Sequence, residues 1–217
     1  MARGPAHRVH LVRHLNARTF VLRFDRHDLH FEPGQYVVLG MPGSIARREY
    51  TIYSGAADDF LEVLVREIDG GLVSAALKAC EPGDVLEVDG PYGLFVTEPG
   101  QRKSAGYLFV GSGTGISPFH SLAQSYPEID YCLLHGVRTA DERHEYTTFE
   151  HSRYTACLSG EARGGYHGRV TGYLRSHPVD PGRLCYLCGN SGMIVEAFDI
   201  LRSQGVPRDH LYAEVYF

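Results

Sequence analysis

The chain has 217 residues, with 21 Lys or Arg against 26 Asp or Glu, so its net charge is −5 with histidine counted as neutral. A hydrophobic share of 43% and a charged share of 22% are typical of a soluble globular protein and exclude a disordered one. No apolar run approaches the ~18 residues that span a bilayer, and the basic first residues lack the apolar segment of a signal peptide. The acidic balance disfavours nucleic acid as a partner, because phosphate binding needs a basic patch.

The first half of the chain is predicted to form short β-strands with one helix. Six segments are rich in β-branched and aromatic residues: HRVHLVRHL, FVLRFD, QYVVLGM, EYTIYS, FLEVLVREI and DVLEVDG. Turn residues such as Pro33-Gly34 and Pro42-Gly43 separate them, and strands at this spacing predict a small antiparallel barrel or sandwich. The alanine-rich segment LVSAALKAC, which precedes Pro82-Gly83, predicts the helix.

The second half alternates apolar runs with helical segments. The predicted strands are YLFVGSG, YCLLHGVR, YTACLSG, LCYLCGN and LYAEVYF. Between them, SPFHSLAQSYP, GRVTGYLRS and SGMIVEAFDILRSQG have helical character, and ERHEYTTFE is polar and amphipathic. This alternation predicts a parallel sheet with helices on both faces. The polar segment TEPGQRKSAG, residues 97–106, lies between the two patterns, so we expect domains of residues 1–99 and 100–217.

An Arg and a Tyr share one face of the strand that contains Arg48, Tyr50 and Thr51, because side chains alternate along a strand. Such a pair is suited to holding a phosphate and stacking on a flat ring. An edge strand with a solvated arginine is the stronger interpretation of this segment alone.

A glycine-rich turn, Gly113-Thr114-Gly115, follows a predicted strand and opens a helix. Free N–H groups and the positive end of the helix dipole suit a pyrophosphate at such a turn. The turn is not the G-x-G-x-x-G fingerprint, and Asp130 precedes the next strand rather than ending it. On this motif alone, a plain strand-to-helix turn is the favoured alternative.

Cysteine and histidine usage indicates neither disulfides nor a metal site. Five cysteines are an odd number without a framework spacing, which favours reduced thiols in a cytoplasmic protein. Cys185 and Cys188 form a C-x-x-C, but residues three apart on a strand face opposite sides, and a zinc site lacks a second ligand pair. We expect one of the two to be buried and the other to lie at the C-terminal end of its strand, where open α/β sheets bind ligands. The twelve histidines are expected to be surface or structural residues.

Taken in order, these motifs become specific. The series consists of Arg48-Glu49-Tyr50-Thr51, Gly71-Leu72-Val73-Ser74, Gly90-Pro91-Tyr92-Gly93-Leu94-Phe95, Gly113-Thr114-Gly115-Ile116-Ser117-Pro118-Phe119, Cys188-Gly189-Asn190-Ser191-Gly192-Met193 and Glu214-Val215-Tyr216. From about Arg8 to Phe217 the chain resembles the bacterial-type ferredoxin–NADP⁺ reductase family of flavoproteins. The resemblance implies an FAD-binding antiparallel β-barrel domain with one helix, followed by an NAD(P)-binding α/β domain with a parallel sheet.

The resemblance also implies residues for the FAD site. Arg48 matches the arginine that holds the FAD pyrophosphate, Tyr50 the aromatic residue that stacks on the isoalloxazine, and Thr51 the hydroxyl near flavin N5. Val65 and Arg66 match the strand that lines the flavin. The loop and helix start that bind the pyrophosphate through N–H groups match Gly71, Leu72, Val73 and Ser74.

Further residues match the nicotinamide site. Thr114 and Gly115 match the turn that faces the nucleotide. Cys188 and Glu214 match groups beside the reacting centre, so the resemblance implies catalytic roles for Cys188, Glu214, Tyr50 and Thr51. Tyr216 matches the aromatic residue that covers the flavin. Phe217 extends one residue further and either packs on the adenine side of FAD or frays.

The predicted nucleotide site departs from the family pattern after the strand that ends at Ser159. NADP-specific members place an arginine there for the 2′-phosphate, whereas this chain has Gly160 followed by Glu161. A second family cation is replaced by Val195. Arg163, Arg138 or Arg169 is a candidate replacement, because a 2′-phosphate needs a cation. NADH and NADPH therefore both stay open.

The resemblance implies an FAD-dependent oxidoreductase that exchanges electrons between NAD(P)H and a one-electron carrier such as ferredoxin or flavodoxin, through hydride transfer between nicotinamide C4 and flavin N5. An NAD(P)H–flavin reductase, or the reductase component of an oxygenase or larger electron-transfer complex, is the alternative. No Cys₄ spacing for an iron–sulfur centre is found, so such a component would need a partner. We expect a cytoplasmic monomer or weak dimer without membrane insertion.

Overall fold

Six antiparallel strands form the sheet of the N-terminal unit. They are β1 (His7–His14), β2 (Thr19–Asp25), β3 (Tyr36–Gly40), β4 (Arg48–Thr51), β5 (Phe60–Arg66) and β6 (Val85–Tyr92). Their order is β4-β3-β6-β1-β2-β5, so β4 and β5 are the outer strands. These two meet just past Thr51, where Ile52 bridges to Val63 and the Tyr53 N–H donates to the Glu62 carbonyl at 2.7 Å. The sheet thereby closes into a barrel.

Apolar side chains of the strands fill the barrel, and a short helix packs on the same core. Phe20, Leu22 and Phe24 alternate along β2 and are all fully buried. Helix α1 (Leu72–Lys78) places Val73 and Leu77 in this core. Complete burial of a side chain of this size stabilises the fold by about 1.5–3 kcal/mol, so the packing of α1 fixes the loop that leads into it.

The second unit is built on a six-stranded sheet in which every pairing is parallel. Its strands are β7 (Gly106–Ser112), β8 (Asp130–Val137), β9 (Tyr154–Leu158), β10 (Tyr166–His167), β11 (Leu184–Asn190) and β12 (Leu211–Tyr216). Its helices are α2 (Ser117–Ser125), α3 (Val170–Ser176) and α4 (Ser191–Ser203). The strand order is β10-β9-β8-β7-β11-β12. The chain therefore switches direction across the sheet between β7 and β11, and in open α/β sheets ligands bind at the carboxyl ends of the strands at such a point.

This structure is a computed structural model, and it describes residues 6–216. The first compact unit comprises the chain up to Val96 together with His120–Ser125, and the second comprises Thr97–Phe119 and the chain from Tyr126 onward. Within the described residues, no helix is both long and apolar enough to cross a membrane.

The predicted fold class, an antiparallel barrel followed by a parallel α/β unit, is confirmed. Local details differ from the sequence-based expectations. Strand β4 ends at Thr51 rather than running through Ser54, because the chain leaves β3 there to reach β5. The polar segment around ERHEYTTFE forms two short 3₁₀ turns, Ala140–Glu142 and Tyr146–Thr148. The two-residue strand β10 was not predicted, since so short a segment carries no periodicity.

Candidate functional site

Strand β4 presents a cation and a flat ring next to each other. Arg48 is exposed, and among the described residues its guanidinium forms no ion pair, donating only to the Arg47 carbonyl at 2.8 Å. Tyr50 packs partly against the barrel core. Burial raises the pKa of Tyr50 to about 12, against the opposing effect of the nearby Arg48 cation, so its ring is neutral. Thr51 is buried at the end of the strand. An exposed cation beside a neutral ring fits a phosphate joined to a planar heterocycle.

The end of β5 contributes a second exposed cation. Val65 is fully buried in the barrel core, which leaves only its backbone to face a cofactor. Arg66 follows it on the exposed side and, within residues 6–216, forms no ion pair. Two unpaired guanidinium groups in one unit fit a doubly charged pyrophosphate.

The start of α1 supplies backbone donors. Gly71 is the N-cap and provides no side-chain cap, and the first intrahelical bond runs from the Ala75 N–H to the Gly71 carbonyl at 3.2 Å. The N–H groups of Leu72, Val73 and Ser74 therefore precede the helical ladder. The Ser74 hydroxyl accepts from the Ile68 N–H at 3.2 Å, which braces the loop. The residues of this unit thus fit FAD, with two cations and a helix start for its pyrophosphate and a tyrosine for its ring system.

In the second unit, two backbone turns interlock where β7 and β11 end. A Cβ atom on Gly115 would lie 2.4 Å from the Cys188 carbonyl oxygen, so only glycine allows this approach. Gly189 has a φ of +125°, and a Cβ there would lie 2.4 Å from the Ser112 hydroxyl. The same hydroxyl accepts from the Asn190 N–H at 3.0 Å. The predicted turn residues Thr114 and Gly115 are therefore held against the end of β11.

The structure brings Cys188, Glu214 and Tyr216 together. Cys188 is fully buried on β11 and is the register partner of Glu214 on β12. Burial raises the pKa of the Cys188 thiol well above its ordinary value, the Glu214 carboxylate raises it further, and a hydrogen bond with the Tyr216 side chain opposes this. The thiol is therefore protonated and neutral. Cys185 is also fully buried, in the apolar core of this unit, and none of the five cysteines is paired. Phe217 lies outside the described residues.

The region after β9 combines carboxylates with exposed arginines. Ser159 donates its N–H to the Val137 carbonyl at 3.0 Å. A Cβ on Gly160 would lie 2.8 Å from the Arg138 carbonyl oxygen, and the Glu161 carboxylate accepts from the Ala140 N–H. The exposed cations of this region are Arg138, Arg163 and Arg169. The structure therefore leaves charges of both signs where an adenosine ribose is expected.

Three contributors to these turns were given no role from the sequence. Ser112 and Asn190 join the two turns, and Asn190 also caps α4 by accepting from the Met193 N–H at 3.2 Å. An Asn immediately before a helical segment is a recognisable N-cap signal. His135 contacts the glycine turn through its imidazole. Among the described residues, no group of three or more His, Cys, Asp or Glu is placed to hold a metal ion.

Comparison with known proteins places this chain in a family. A family model described as an oxidoreductase FAD-binding domain matches residues 8–96. Ferredoxin–NADP reductase B of Sorangium cellulosum is 32% identical, over 94% of this chain and 94% of its own length. The chain belongs to the ferredoxin–NADP reductase family. The predicted FAD-dependent oxidoreductase is thereby confirmed, as is FAD as its cofactor, with NAD and NADP both open.

Two further comparisons define the extent of the similarity. The reductase subunit of an aromatic O-demethylase from Amycolatopsis is 33% identical over 78% of this chain, but the match covers only 57% of the subunit. A crystal structure of a ferredoxin–NADP⁺ reductase from Neisseria gonorrhoeae, with bound FAD and NADP, matches all of both chains with a TM-score of 0.88 at 20% identity. That structure supports the two-domain fold of this family member.

Proposed function

We propose that this reductase takes electrons from NAD(P)H and passes them singly to a separate carrier protein of the ferredoxin or flavodoxin type. The observation that carries the proposal is the end-to-end match with a ferredoxin–NADP reductase, 94% of each chain. Service to an oxygenase is the second candidate, because a reductase subunit of an aromatic O-demethylase is equally similar over the part that it shares. In that case the electron acceptor is a component of the oxygenase system.

FAD is held by residues of the barrel unit in this proposal. Arg48 and Arg66 balance the pyrophosphate charge, and the N–H groups at the start of α1 donate to its oxygens. Tyr50 stacks on the isoalloxazine ring, and its raised pKa keeps the phenol neutral at working pH. Bound FAD would supply hydride acceptance and one-electron transfer, which is the chemistry that the side chains themselves lack.

The residues of the second unit bind and orient the nicotinamide nucleotide. Thr114 and Gly115 line the turn for its phosphates, and the neutral Cys188 thiol provides a compact, polarisable surface for the ring. Burial, reinforced by the neighbouring Glu214 carboxylate, raises the pKa of this thiol and keeps it protonated, so Cys188 acts as packing surface and not as a nucleophile. The hydrogen bond between Tyr216 and Cys188 supports the proposal that Tyr216 covers the site of the nicotinamide ring.

The nucleotide preference follows from the region after β9. Gly160 and Glu161 replace the cation that would bind a 2′-phosphate, and a carboxylate there suits the free 2′-hydroxyl of NADH. We therefore expect any preference for NADPH to stay below the ~100-fold that one strong charged contact of about 3 kcal/mol would give. Arg163 is the exposed cation closest in sequence to Gly160, the position where NADP-specific members have an arginine.

The decisive experiment measures steady-state rates with NADH and NADPH in turn, using ferredoxin, flavodoxin and free flavin as acceptors. The proposal predicts kcat/KM values that are highest with a carrier protein. Rates highest with free flavin would identify a flavin reductase, and activity only with an added oxygenase component would identify the second candidate. Single Arg163→Ala, Arg138→Ala and Arg169→Ala variants then test which cation contributes to NADPH binding. Purified protein that takes up no FAD would contradict every version of the proposal.

A further inference from the structure

A buried histidine, His135, lies behind the glycine turn. His135 is on β8, where it is the register partner of Gly111 on β7, two residues before the turn begins. Its side chain is fully buried. Its Nε2 atom lies 2.8 Å from the Gly113 carbonyl oxygen, and its Nδ1 atom lies 2.9 Å from the Tyr154 hydroxyl. Both ring nitrogens thus have partners, which offsets the cost of burying a polar ring.

The partners determine where the single proton of the neutral ring resides. Burial lowers the pKa of His135 to about 3, and the neighbouring His144 opposes a positive charge as well. The Gly113 carbonyl can only accept a hydrogen bond, so Nε2 carries the proton and donates to it. Nδ1 therefore accepts, and the Tyr154 hydroxyl is its donor. Burial raises the pKa of Tyr154, which keeps this hydroxyl protonated.

A hydrogen bond that fixes the carbonyl of one residue also fixes the direction of the N–H of the next residue. In a trans peptide the C=O and the following N–H lie in one plane and point in opposite directions. With the Gly113 carbonyl directed at His135, the Thr114 N–H is directed away from it. The Ser117 hydroxyl donates to the Thr114 carbonyl at 2.7 Å, which orients the Gly115 N–H in the same manner. The turn thereby withdraws carbonyl oxygens, which would repel an anion, and presents N–H donors.

We infer that His135 is a positioning residue for nucleotide binding: its Nε2–H holds the Gly113 carbonyl so that the amides of the turn face the nucleotide phosphate. The inference rests on the proposed use of this turn by the nicotinamide nucleotide. It assigns the imidazole no contact with substrate and no proton transfer. Its loss should therefore weaken nucleotide binding while leaving the maximal rate and the FAD content largely unchanged.

A set of three substitutions separates the hydrogen bond from the volume of the side chain. His135→Leu removes the donor, and His135→Asn places an amide nitrogen at the reach of Nδ1 rather than Nε2. His135→Gln returns an N–H donor at the reach of Nε2. We expect Leu and Asn to raise KM for NADH and for NADPH by at least about fivefold, and Gln to stay within about twofold of the wild type. The control His7→Leu removes a buried imidazole that contacts the Asp25 carbonyl in the barrel unit, and its KM should not change.

The wild-type protein is tested first, because reduction of bound FAD by NADH or NADPH establishes the proposed function independently. If neither nucleotide reduces the flavin, the proposed function fails; if wild type is active and His135→Leu keeps its KM, the present inference fails alone. Equal losses in the Gln and Leu variants, or a parallel loss of FAD, would also overturn it. A nitrogen-detected NMR measurement on wild-type protein needs no variant to fold. It should show the Nε2–H tautomer of His135, and the Nδ1–H tautomer would refute the inference.

Discussion

Replacing Gly115 by alanine tests whether the interlocked turns of the second unit form the nucleotide site. The added Cβ would lie 2.4 Å from the Cys188 carbonyl oxygen and 2.8 Å from the Gly189 Cα, both backbone atoms. Strand β11 is paired with β7 on one side and β12 on the other, so moving it would disrupt backbone hydrogen bonds on both sides. The turn itself must therefore move, by about 1 Å, and a displacement on that scale costs up to about 100-fold in an enzyme rate.

The expected magnitude follows from overpacking, which costs about 1–3 kcal/mol in a well-packed region. If that cost appears in full as a loss of nucleotide-binding free energy, KM for NADH and NADPH should rise roughly 5- to 150-fold. Steady-state kinetics with both nucleotides, together with titration of the flavin absorbance by NADP⁺ and NAD⁺, would measure it. The FAD content should match the wild type, because Gly115 lies in the other unit.

The matched control is Gly100→Ala in the same unit. A Cβ on Gly100 would meet nothing within 4 Å, so its nucleotide constants should equal those of the wild type. The assignment of the nucleotide site to these turns is refuted if Gly115→Ala binds both nucleotides with wild-type affinity while remaining folded. Equal losses in the two alanine variants would refute it as well, since the effect would then not come from the contact with Cys188.

Three further outcomes are expected. Cys188→Ala should slow flavin reduction in stopped-flow measurements by about 10- to 100-fold at unchanged FAD content; an unchanged rate would remove Cys188 from the site. Deleting Tyr216 and Phe217 should tighten NADP⁺ or NAD⁺ binding by up to roughly tenfold, since a stacked ring contributes about 0.5–1.5 kcal/mol; an unaltered affinity would place Tyr216 outside the site. Burial raises the pKa of Cys157 and Cys185 to about 12, so denaturant titrations under reducing conditions should show the free energy of unfolding falling between about pH 9 and 12. Below about pH 9 these thiols are protonated in both the folded and the unfolded state. Between about pH 9 and 12 only the unfolded state loses the thiol proton, which lowers the free energy of unfolding by about 1.4 kcal/mol per thiol and pH unit. Cys157→Ala should reduce this slope and the exposed Cys132→Ala should not.

Much of the fold could be predicted because its elements are locally encoded. Alternating apolar residues identify β2, and apolar positions at helical spacing identify α4, whose Ile194, Ala197 and Leu201 are buried as that spacing requires. The end of β4 was not predictable in the same way. It depends on where the barrel closes between Ile52 and Val63. The local sequence of one segment does not indicate that it pairs with the other.

The candidate site was predicted as a set of motifs, and the structure adds how they pack. Gly115 and Cys188 are distant in sequence. Glycine is needed at position 115 because a Cβ there would collide with the backbone carbonyl of Cys188. That contact exists because β7 and β11 are neighbours at the point where the strand order reverses. A sequence pattern gives the order of strands along the chain but not their order across the sheet. The role of Gly115 is therefore a consequence of topology.

His135 illustrates the same limit for a polar side chain. In the sequence it is one of twelve histidines, and it lies in an apolar strand where an imidazole would ordinarily be unfavourable. Its place is explained only by two partners on other segments, the Gly113 carbonyl and the Tyr154 hydroxyl. An aliphatic residue would fill the volume, but it would leave the Tyr154 hydroxyl without its acceptor and the Gly113 carbonyl without its donor. A buried histidine at the end of a strand is therefore informative when its neighbouring strand opens a ligand-binding turn, because the ring can orient a peptide unit without carrying charge.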